Sequence, residues 1–387
     1  MSNESGFESL EELRTMHADK LTELRDVVRR AFNEEESEKQ ASREGGDDVE
    51  HYLNDDVQLL RFLTGHDADV EKAAKCVIET LNWRIENDVR QVEQLDMREQ
   101  RDFPFHDLVS SYLPASLDAG RARNGAPFSI ELTGQCDLVG MLQDVPIEHF
   151  MQYHIYHMAF KGTLVQELSR ETGRMVKLVK IMDLSGWSMK HVSKAAIDYL
   201  RHVLHTTQTA YPEMLHKCII INAPMFFNVV WKLVAPMLNS RTQSRITVCG
   251  SNYQEALHAL VDPAQLPEYL GGTAADPVPR IDPEAHLTEV DVRRGDSFET
   301  SVVVAAGDEV QWHFKTRSKD IGFSARFVPA ACDEVVIEEL SRHNSHERSV
   351  RGSWTATEAG EVRLHFDNTY SRWTSKTLLY SLKVADL

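Results

Sequence analysis

The sequence predicts a helical N-terminal lobe over residues 1–110, an α/β lobe over 111–273 and an all-β sandwich over 288–387. Three observations predict this fold class. Apolar residues recur at helical spacing in the first part. Short β-branched runs alternate with segments of helical length in the second part, and apolar residues alternate with polar ones in the third. A proline-rich linker over 274–287 separates the last two parts.

The N-terminal part has the pattern of amphipathic helices. Between residues 10 and 31, apolar side chains recur every three or four positions, which predicts one helix. Residues 55–103 are predicted to be helical throughout, with a break at the polar segment Thr64–Asp69. The acidic segment 34–56 is predicted to be a solvated loop between helices.

The middle part has the pattern of a mostly parallel sheet that is covered by helices. Four short apolar runs predict its strands: Phe128–Leu132, Val176–Leu184, Cys218–Ile221 and Ile246–Cys249. Three segments between or after them have helical length: 146–170, 188–209 and 225–238. Strands that alternate with helices indicate βαβ units.

The C-terminal part has a period of two, which is typical of strands with one buried face. The alternating apolar positions are Phe298, Val302, Val304, then Val310, Trp312, Phe314, then Val362, Leu364, Phe366, and finally Leu378, Tyr380, Leu382, Val384. Trp312, Trp354 and Trp373 are interpreted as core or turn residues. Arg293 and Arg294 could contact acidic lipid, although such a pair is usually ordinary surface.

Composition excludes several functions. The chain has 42 basic and 60 acidic residues, so its net charge is 42 − 60 = −18. This balance argues against nucleic-acid binding and against a polybasic membrane anchor. The five cysteines include no C-x-x-C pair, which indicates reduced thiols and a cytoplasmic protein. We see no signal peptide and no apolar run long enough to span a membrane.

No motif for catalysis or metal binding is found in the sequence. Nucleophile-elbow, dinucleotide-binding, phosphate-loop, zinc-protease and C-x5-R patterns are all missing. His154 and His157 are spaced to share one helix face, but no cysteine or carboxylate cluster completes a site. We therefore expect no catalytic residue, no metal and no enzyme activity.

The segment 225–238, named the lid segment here, is apolar nearly all round. Such a helix must bury both faces or meet lipid. Either it is a deeply buried core helix, or one face closes an apolar cavity and the other contacts a membrane. Its predicted lid and cavity residues are Phe226, Phe227, Val230, Trp231, Val234, Met237 and Leu238. Trp231 and Phe227 are the predicted contacts at the membrane interface.

Residues from about 57 to 273 resemble the CRAL-TRIO lipid-binding domain. The matching segments occur in the order of that family: LLRFLTGHDADVEKA (59–73), IMDLSGW (181–187), YPE…INAP (211–224), the lid segment, TQSRI (242–246) and LPEYLGG (266–272). The C-terminal region resembles a GOLD domain through VRRGDSFETSVVVAAGDEVQWHF (292–314) and FDNTYSRWTSKTLLYSLKV (366–384). The resemblance implies a helical lobe beside an α/β lobe that holds one lipid.

The resemblance also implies lipid headgroup residues. Carried over by motif, these are Glu213, Thr242 and Arg245, where Arg245 replaces the lysine of phosphatidylinositol-binding members. Inositol hydroxyls can donate to the Glu213 carboxylate, and Arg245 offers a planar fork to phosphate oxygens. Alternatively, Glu213 and Arg245 form a structural ion pair. The segment after LLRFL is not basic here, so Arg61 is the remaining cation nearby.

Together these observations predict a cytoplasmic lipid-binding and transfer protein, with phosphatidylinositol or phosphatidylcholine favoured as the bound lipid. No cofactor other than the lipid is expected. One alternative is a carrier of an uncharged isoprenoid such as a tocopherol or squalene-like lipid. A second is a lipid-gated scaffold that recruits a protein partner through the GOLD-like domain. Transient contact with membranes, Golgi or endosomal among them, is expected, and nucleic-acid partners are not.

Overall fold

The computed structural model describes residues 6–39, 46–95, 99–281, 284, 287–329, 334–347 and 349–384. The chain divides into two compact units. Unit 1 comprises residues 1–139 and 147–281, and unit 2 comprises 140–146 and 282–387. Cys332 and parts of the predicted acidic loop and linker lie outside the described residues.

Unit 1 begins with a run of helices, and polar side chains cap the starts of some of them. They are α1 Leu10–Met16, α2 Ala18–Lys39, α3 Gly46–Leu53, α4 Asp56–Gly65, α5 Val70–Glu86, α6 Val89–Gln94 and α7 His106–Ser110. The Asp55 carboxylate accepts a hydrogen bond from the Val57 N–H, and the Asp69 carboxylate accepts one from the Lys72 N–H. These caps satisfy backbone donors at the starts of α4 and α5. Helix α4 ends at Gly65 and α5 begins at Val70, so the break predicted at Thr64–Asp69 is present.

The predicted loop over 34–56 is partly wrong, because α3 lies within it. Val49, Tyr52 and Leu53 are buried in α3 and join the core of the N-terminal helices. Their three- and four-residue spacing is an apolar stripe of one helix face. The high acidic content of the segment concealed that stripe.

The chain continues as an α/β lobe. Its elements are β1 Ala115–Arg121, β2 Pro127–Glu131, α8 Leu138–Asp144, α9 Ile147–Thr172, β3 Leu178–Asp183, α10 Lys194–Ala210, β4 Leu215–Ile221, α11 Phe227–Val234, α12 Ser240–Ser244, β5 Ile246–Val248 and α13 Gln254–Leu260. The five strands form one sheet in the order β1-β2-β3-β4-β5. Strands β2 to β5 pair in parallel, as predicted, whereas β1 pairs antiparallel with β2.

The two faces of this sheet differ because side chains alternate along each strand. On one face, Val179, Ile181, Ile219 and Ile221 are fully buried in a core that includes Leu257 of α13. On the other face, alternate residues of β3 and β4 line a cavity. One face of these strands lies in the core and the other lines the cavity. Both faces therefore carry apolar residues, which explains the near-continuous apolar runs in the sequence.

Apart from residues 140–146, which belong to α8 and the turn after it, unit 2 is an all-β sandwich, as predicted. Its strands are β6 Thr288–Val292, β7 Ser297–Val304, β8 Glu309–Thr316, β9 Ile321–Pro329, β10 Val335–His343, β11 Val350–Thr355, β12 Gly360–Asp367 and β13 Lys376–Val384. They form two four-stranded sheets, in the orders β10-β9-β12-β7 and β11-β8-β13-β6. The Phe314 ring of one sheet lies 4.5 Å from that of Phe323 and 5.0 Å from that of Phe366, both in the other sheet. Aromatic side chains therefore fill the core between the sheets.

Among the described residues, no helix combines the length and apolar character needed to cross a bilayer.

Candidate functional site

A cavity of about 540 Å³ lies in unit 1. Its floor is the second face of the sheet, where Leu178, Lys180 and Met182 of β3 point into it at every second position. Residues of α9 and α10 form its sides, and the lid segment closes part of its surface. The size lies within the usual range for small-molecule sites, and most of the lining is apolar.

The lid segment is a short helix, α11, followed by a single 3-10 turn at Ala235–Met237. It is shorter than predicted because Pro236 has no N–H to continue an α-helical hydrogen-bond ladder. Five of the seven predicted lid residues line the cavity: Phe227, Val230, Trp231, Val234 and Leu238. The other two, Phe226 and Met237, are not part of that lining. Phe226 stacks on Trp187, and the Met237 carbonyl accepts a hydrogen bond from Gln208 Nε2.

Phe227 and Trp231, the predicted contacts at the membrane interface, both line the cavity in this structure, and their contact with a membrane stays a prediction. The outer face of α11 carries other apolar residues. Val229 is 61% exposed and Leu233 is 52% exposed, while Met225 just before the helix is 97% exposed. The lid segment is therefore apolar on both sides and buries only one of them.

Glu213 stands at one part of the cavity wall with three cations around it. Its Oε2 accepts a hydrogen bond from Lys177 Nζ and another, at 2.7 Å, from Arg245. Its Oε1 accepts one from Arg241 at 3.2 Å. We call Glu213, Lys177, Arg241 and Arg245 the Glu213 cluster.

The pKa of Glu213 shows which effect dominates in this cluster. Burial of the side chain, which is 2% exposed, would raise this pKa. The nearby Lys177 and Arg245 charges outweigh burial and lower the pKa of Glu213 to about 2. Glu213 is therefore ionised throughout the physiological pH range.

The backbone at Glu213 is also held in an unusual conformation. Its φ is +57°, a left-handed value that costs a side-chain-bearing residue about 1–2 kcal/mol. The Glu213 carbonyl accepts a hydrogen bond from the buried Arg61 guanidinium at 3.2 Å. Arg61 also donates to the Val176 carbonyl at 2.8 Å, so it fixes the backbone around the site, and it does not line the cavity.

Helix α12 positions the other two predicted headgroup residues. The Asn239 side chain caps α12 by accepting from the Thr242 N–H at 2.7 Å. Thr242 lines the cavity, and Arg245 follows the helix at its C-terminal end. The structure thus brings Glu213, Thr242 and Arg245 to one stretch of wall, and the Glu213–Arg245 ion pair is present.

Sequence reasoning missed Arg241. It lies four residues before Arg245, so the two arginines share one side of the α12 turn. Arg241 also donates to the Thr64 carbonyl and pairs with Asp67, which ties α12 to the end of α4. The four-residue spacing of two arginines beside the motif was the signal that could have revealed it.

A second charged cluster on the cavity wall was also missed. Lys180 Nζ lies 2.8 Å from Glu131 Oε1, and Lys161 Nζ lies 4.0 Å from the same oxygen. We call Glu131, Lys161 and Lys180 the Glu131 cluster, and all three line the cavity. Two lysines inside otherwise apolar segments were the available signal, because buried charges need partners.

The protonation states give the Glu131 cluster a net positive charge. Burial lowers the pKa of Lys161 to about 8, so this amine stays largely charged at neutral pH. Burial and the Lys161 charge lower the pKa of His154 to about 4, and the same effects lower the pKa of His157. With both histidines neutral, the cluster holds two cations against one carboxylate. Within the described parts of the chain, no group of histidine, cysteine and carboxylate side chains could hold a metal ion.

Comparison with known proteins agrees with this architecture. Residues 120–272 match the family model of the CRAL/TRIO domain. The assignment to the CRAL/TRIO domain applies to these residues and not to the rest of the chain. The CRAL-TRIO match includes strands β2 to β5, the lid segment and both charged clusters of the cavity.

Curated relatives share different parts of the chain. Patellin-6 of Arabidopsis thaliana is 24% identical over 370 residues, which cover 93% of this chain and 85% of the relative. The phosphatidylinositol/phosphatidylcholine transfer protein SFH12 of the same plant is 32% identical over 224 residues, or 56% of this chain. The match spans only 40% of SFH12 and 36% of the related protein SFH4.

Among solved structures, the crystal structure of Sfh5 aligns with 62% of this chain and 84% of its own, at 19% identity and a TM-score of 0.45. The C-terminal β-sandwich agrees with the predicted fold class, and its assignment as a GOLD domain stays a prediction.

Proposed function

We propose that the chain binds one phospholipid in the cavity beneath α11 and transfers it between membranes, with no chemical step. The observation that carries this proposal is an apolar cavity, closed by an apolar lid segment, whose wall holds two charged clusters. Cytoplasmic location and transient contact with membranes, such as Golgi or endosomal membranes, belong to the same proposal.

The energetics of acyl chains require a lid. Burial of acyl chains contributes about 0.8 kcal/mol per CH₂, so a diacyl lipid with roughly 30 such groups would cost about 25 kcal/mol to expose to water. The cavity must offset nearly all of that cost, and exchange must occur at a membrane surface. The exposed Val229 and Leu233 on the outer face of α11 suit contact with a bilayer during exchange.

The charges on the wall favour a phospholipid over an uncharged isoprenoid. An isoprenoid would leave the Glu213 and Glu131 clusters desolvated with no polar ligand group to compensate. Phosphatidylinositol and phosphatidylcholine are the favoured ligands, and the similarity to SFH12 and SFH4, which are named as transfer proteins for these two lipids, supports that choice.

The Glu213 cluster suits the headgroup of phosphatidylinositol. Three cation contacts occupy three of the roughly four acceptor positions of the Glu213 carboxylate, so one remains for an inositol hydroxyl. Arg245 is 21% exposed and borders the cavity, where its guanidinium can donate to a phosphate oxygen. Thr242 adds a hydroxyl on the same wall.

Lipid loading tests this proposal. Full-length protein stripped of lipid is incubated with vesicles that contain phosphatidylinositol and phosphatidylcholine, separated from them, and analysed for bound lipid. We expect about one phospholipid per chain. Arg245→Ala should reduce phosphatidylinositol loading about tenfold, since one charge-assisted hydrogen bond is lost, and should retain phosphatidylcholine. Lys194→Ala, which removes an exposed cation of α10, is the matched control.

Three results would contradict the proposal or part of it. Uptake of a tocopherol or squalene with no phospholipid would establish the isoprenoid carrier instead. Unchanged phosphatidylinositol loading in Arg245→Ala would overturn the headgroup assignment. Full loading with negligible transfer between vesicles would favour the lipid-gated scaffold.

A further inference from the structure

Three loops meet at one end of the β-sandwich in unit 2. They are residues 293–296 between β6 and β7, 317–320 between β8 and β9, and 368–375 between β12 and β13. Asn368 is fully buried, and its side-chain amide donates to the carbonyls of Val292, Arg293 and Thr374, each at 3.1 Å. The Lys319 ammonium donates to the Thr374 hydroxyl at 3.1 Å, which ties the 317–320 loop to the 368–375 loop.

Trp373 projects from this end of the sandwich. Its side chain is 85% exposed, whereas Trp312 in the core of the same sandwich is 5% exposed and Trp354 packs on Phe327. An exposed indole leaves a large apolar area in water, and tryptophan is characteristically buried at interfaces with membranes or partners. Because the flanking loops are anchored by Asn368, the indole projects from a fixed base.

The residues around Trp373 are basic. Arg293, Arg294, Lys319 and Arg372 are all exposed, and none of them forms an ion pair with a described residue. Asp296 is the acid within the same hairpin loop. Asp367, at the end of β12, is a second acid here and accepts a hydrogen bond from the Thr369 N–H. A third acid, Asp320, already pairs with Arg342 and Lys376. Four cations therefore stand against two carboxylates without an ion pair to a described residue, in a chain of net charge −18.

We propose that Trp373 with Arg293, Arg294, Lys319 and Arg372, together named the Trp373 tip, docks on a bilayer that contains anionic lipid. The proposal goes beyond the lipid cavity, because it assigns a membrane-contact surface to the β-sandwich, away from the lid segment in sequence. Tryptophan partitions into the headgroup region of a bilayer, and arginine and lysine side chains are attracted by its negative surface potential.

A bilayer fits the Trp373 tip better than a protein partner does. The indole protrudes instead of lining a groove, and protein interfaces bury their aromatic anchors in pockets. A chain with net charge −18 is repelled as a whole by an anionic surface. The basic Trp373 tip is attracted by the same surface, so this part of unit 2 would face the membrane.

Vesicle binding by the full-length chain tests the inference. Sedimentation is measured with phosphatidylcholine vesicles, with and without phosphatidylserine. Each surface cation contributes about 1 kcal/mol, or about fivefold in affinity. Arg293→Gln with Arg294→Gln should weaken binding to phosphatidylserine vesicles about 30-fold. Trp373→Ser should weaken binding to both kinds of vesicle by about tenfold or more, because the indole inserts irrespective of lipid charge.

Matched controls lie on the same sandwich. Arg326→Gln with Arg363→Gln changes the net charge by the same amount on paired strands β9 and β12, away from the three loops. Val303→Ser removes a side chain that is 78% exposed at the far end of β7. Both controls should bind vesicles like the wild type, and unfolding temperatures verify that all variants fold.

Wild-type binding by both tip variants would overturn the inference. Loss of binding in the arginine variant alone would also overturn it, because a surface that responds only to charge would equally suit an acidic protein. Lipid loading of the cavity is measured in parallel. A tip variant that loads phospholipid normally but no longer sediments with vesicles would support the tip independently of the proposed cavity function.

Discussion

At the residue scale, Glu213 contacts residues that line the cavity and residues that hold the surrounding backbone. Its charge holds Lys177, Arg241 and Arg245 together, and its carbonyl holds Arg61. Removal of one partner from a buried ion pair leaves the others uncompensated, which typically costs about 3–5 kcal/mol. We therefore expect Glu213→Gln to be markedly less stable than the wild type in urea unfolding.

The pH dependence of stability identifies the same carboxylate. The pKa of Glu213 is about 2 in the folded chain, against an ordinary value of 4.5. Its ionised form therefore stabilises the fold fully above pH 4.5, by about 3 kcal/mol, and this contribution disappears as the pH falls towards 2. Glu213→Gln should lack that acid-dependent loss. The control Asp198→Asn, at an exposed ion pair of α10, should retain the loss of stability at low pH. A pH profile of Glu213→Gln that matches the wild type would refute the assignment of that loss to Glu213.

Sequence patterns could predict only some site residues. Glu213, Thr242 and Arg245 could be predicted because their motifs occur in the same order as in the family. Arg241 was not, because its role depends on how the α12 turn faces Glu213. Lys180 lies in a predicted strand, but a strand residue can point to either face, and only the register of β3 between β2 and β4 decides that it meets Glu131.

At the element scale, helix α11 of the lid segment has two apolar faces that differ in exposure. Phe227 and Trp231 line the cavity, whereas Val229 and Leu233 face outwards. The sequence predicted an apolar helix here, but not which residues face inwards, since nearly every position is apolar. Strand β1 was not predicted, because its sequence ASLDAGR has too few apolar residues to form a continuous apolar run.

The two faces of α11 should separate lipid loading from lipid transfer. Val229→Asp with Leu233→Asp removes the outer apolar surface, so transfer between vesicles should slow by about tenfold or more. Loading at equilibrium should persist, because neither side chain lines the cavity. Asn228→Asp adds a charge at an exposed position of the same helix without loss of an apolar side chain, and serves as the control. Equal transfer rates in the double variant and the control would contradict an outward membrane-contact face.

At the scale of the whole molecule, two units with separate apolar cores carry different surfaces. Unit 1 holds the cavity, and unit 2 holds the Trp373 tip. Periodicity predicted both fold classes, because helical, continuous and alternating patterns are distinct over long windows. The strand orders of the sandwich could not be predicted, since β10 and β11 lie at sheet edges and have no fully buried residue, and the pattern of β10 is largely exposed and irregular.

The proposed function requires that unit 1 encloses one phospholipid. Native mass spectrometry of the purified full-length chain, before and after organic extraction, tests it most directly. We predict an extractable mass that corresponds to one phospholipid per chain, and analysis of the extract should identify phosphatidylinositol or phosphatidylcholine. A chain that carries no phospholipid, and takes up none from vesicles that contain both lipids, would overturn the proposed function.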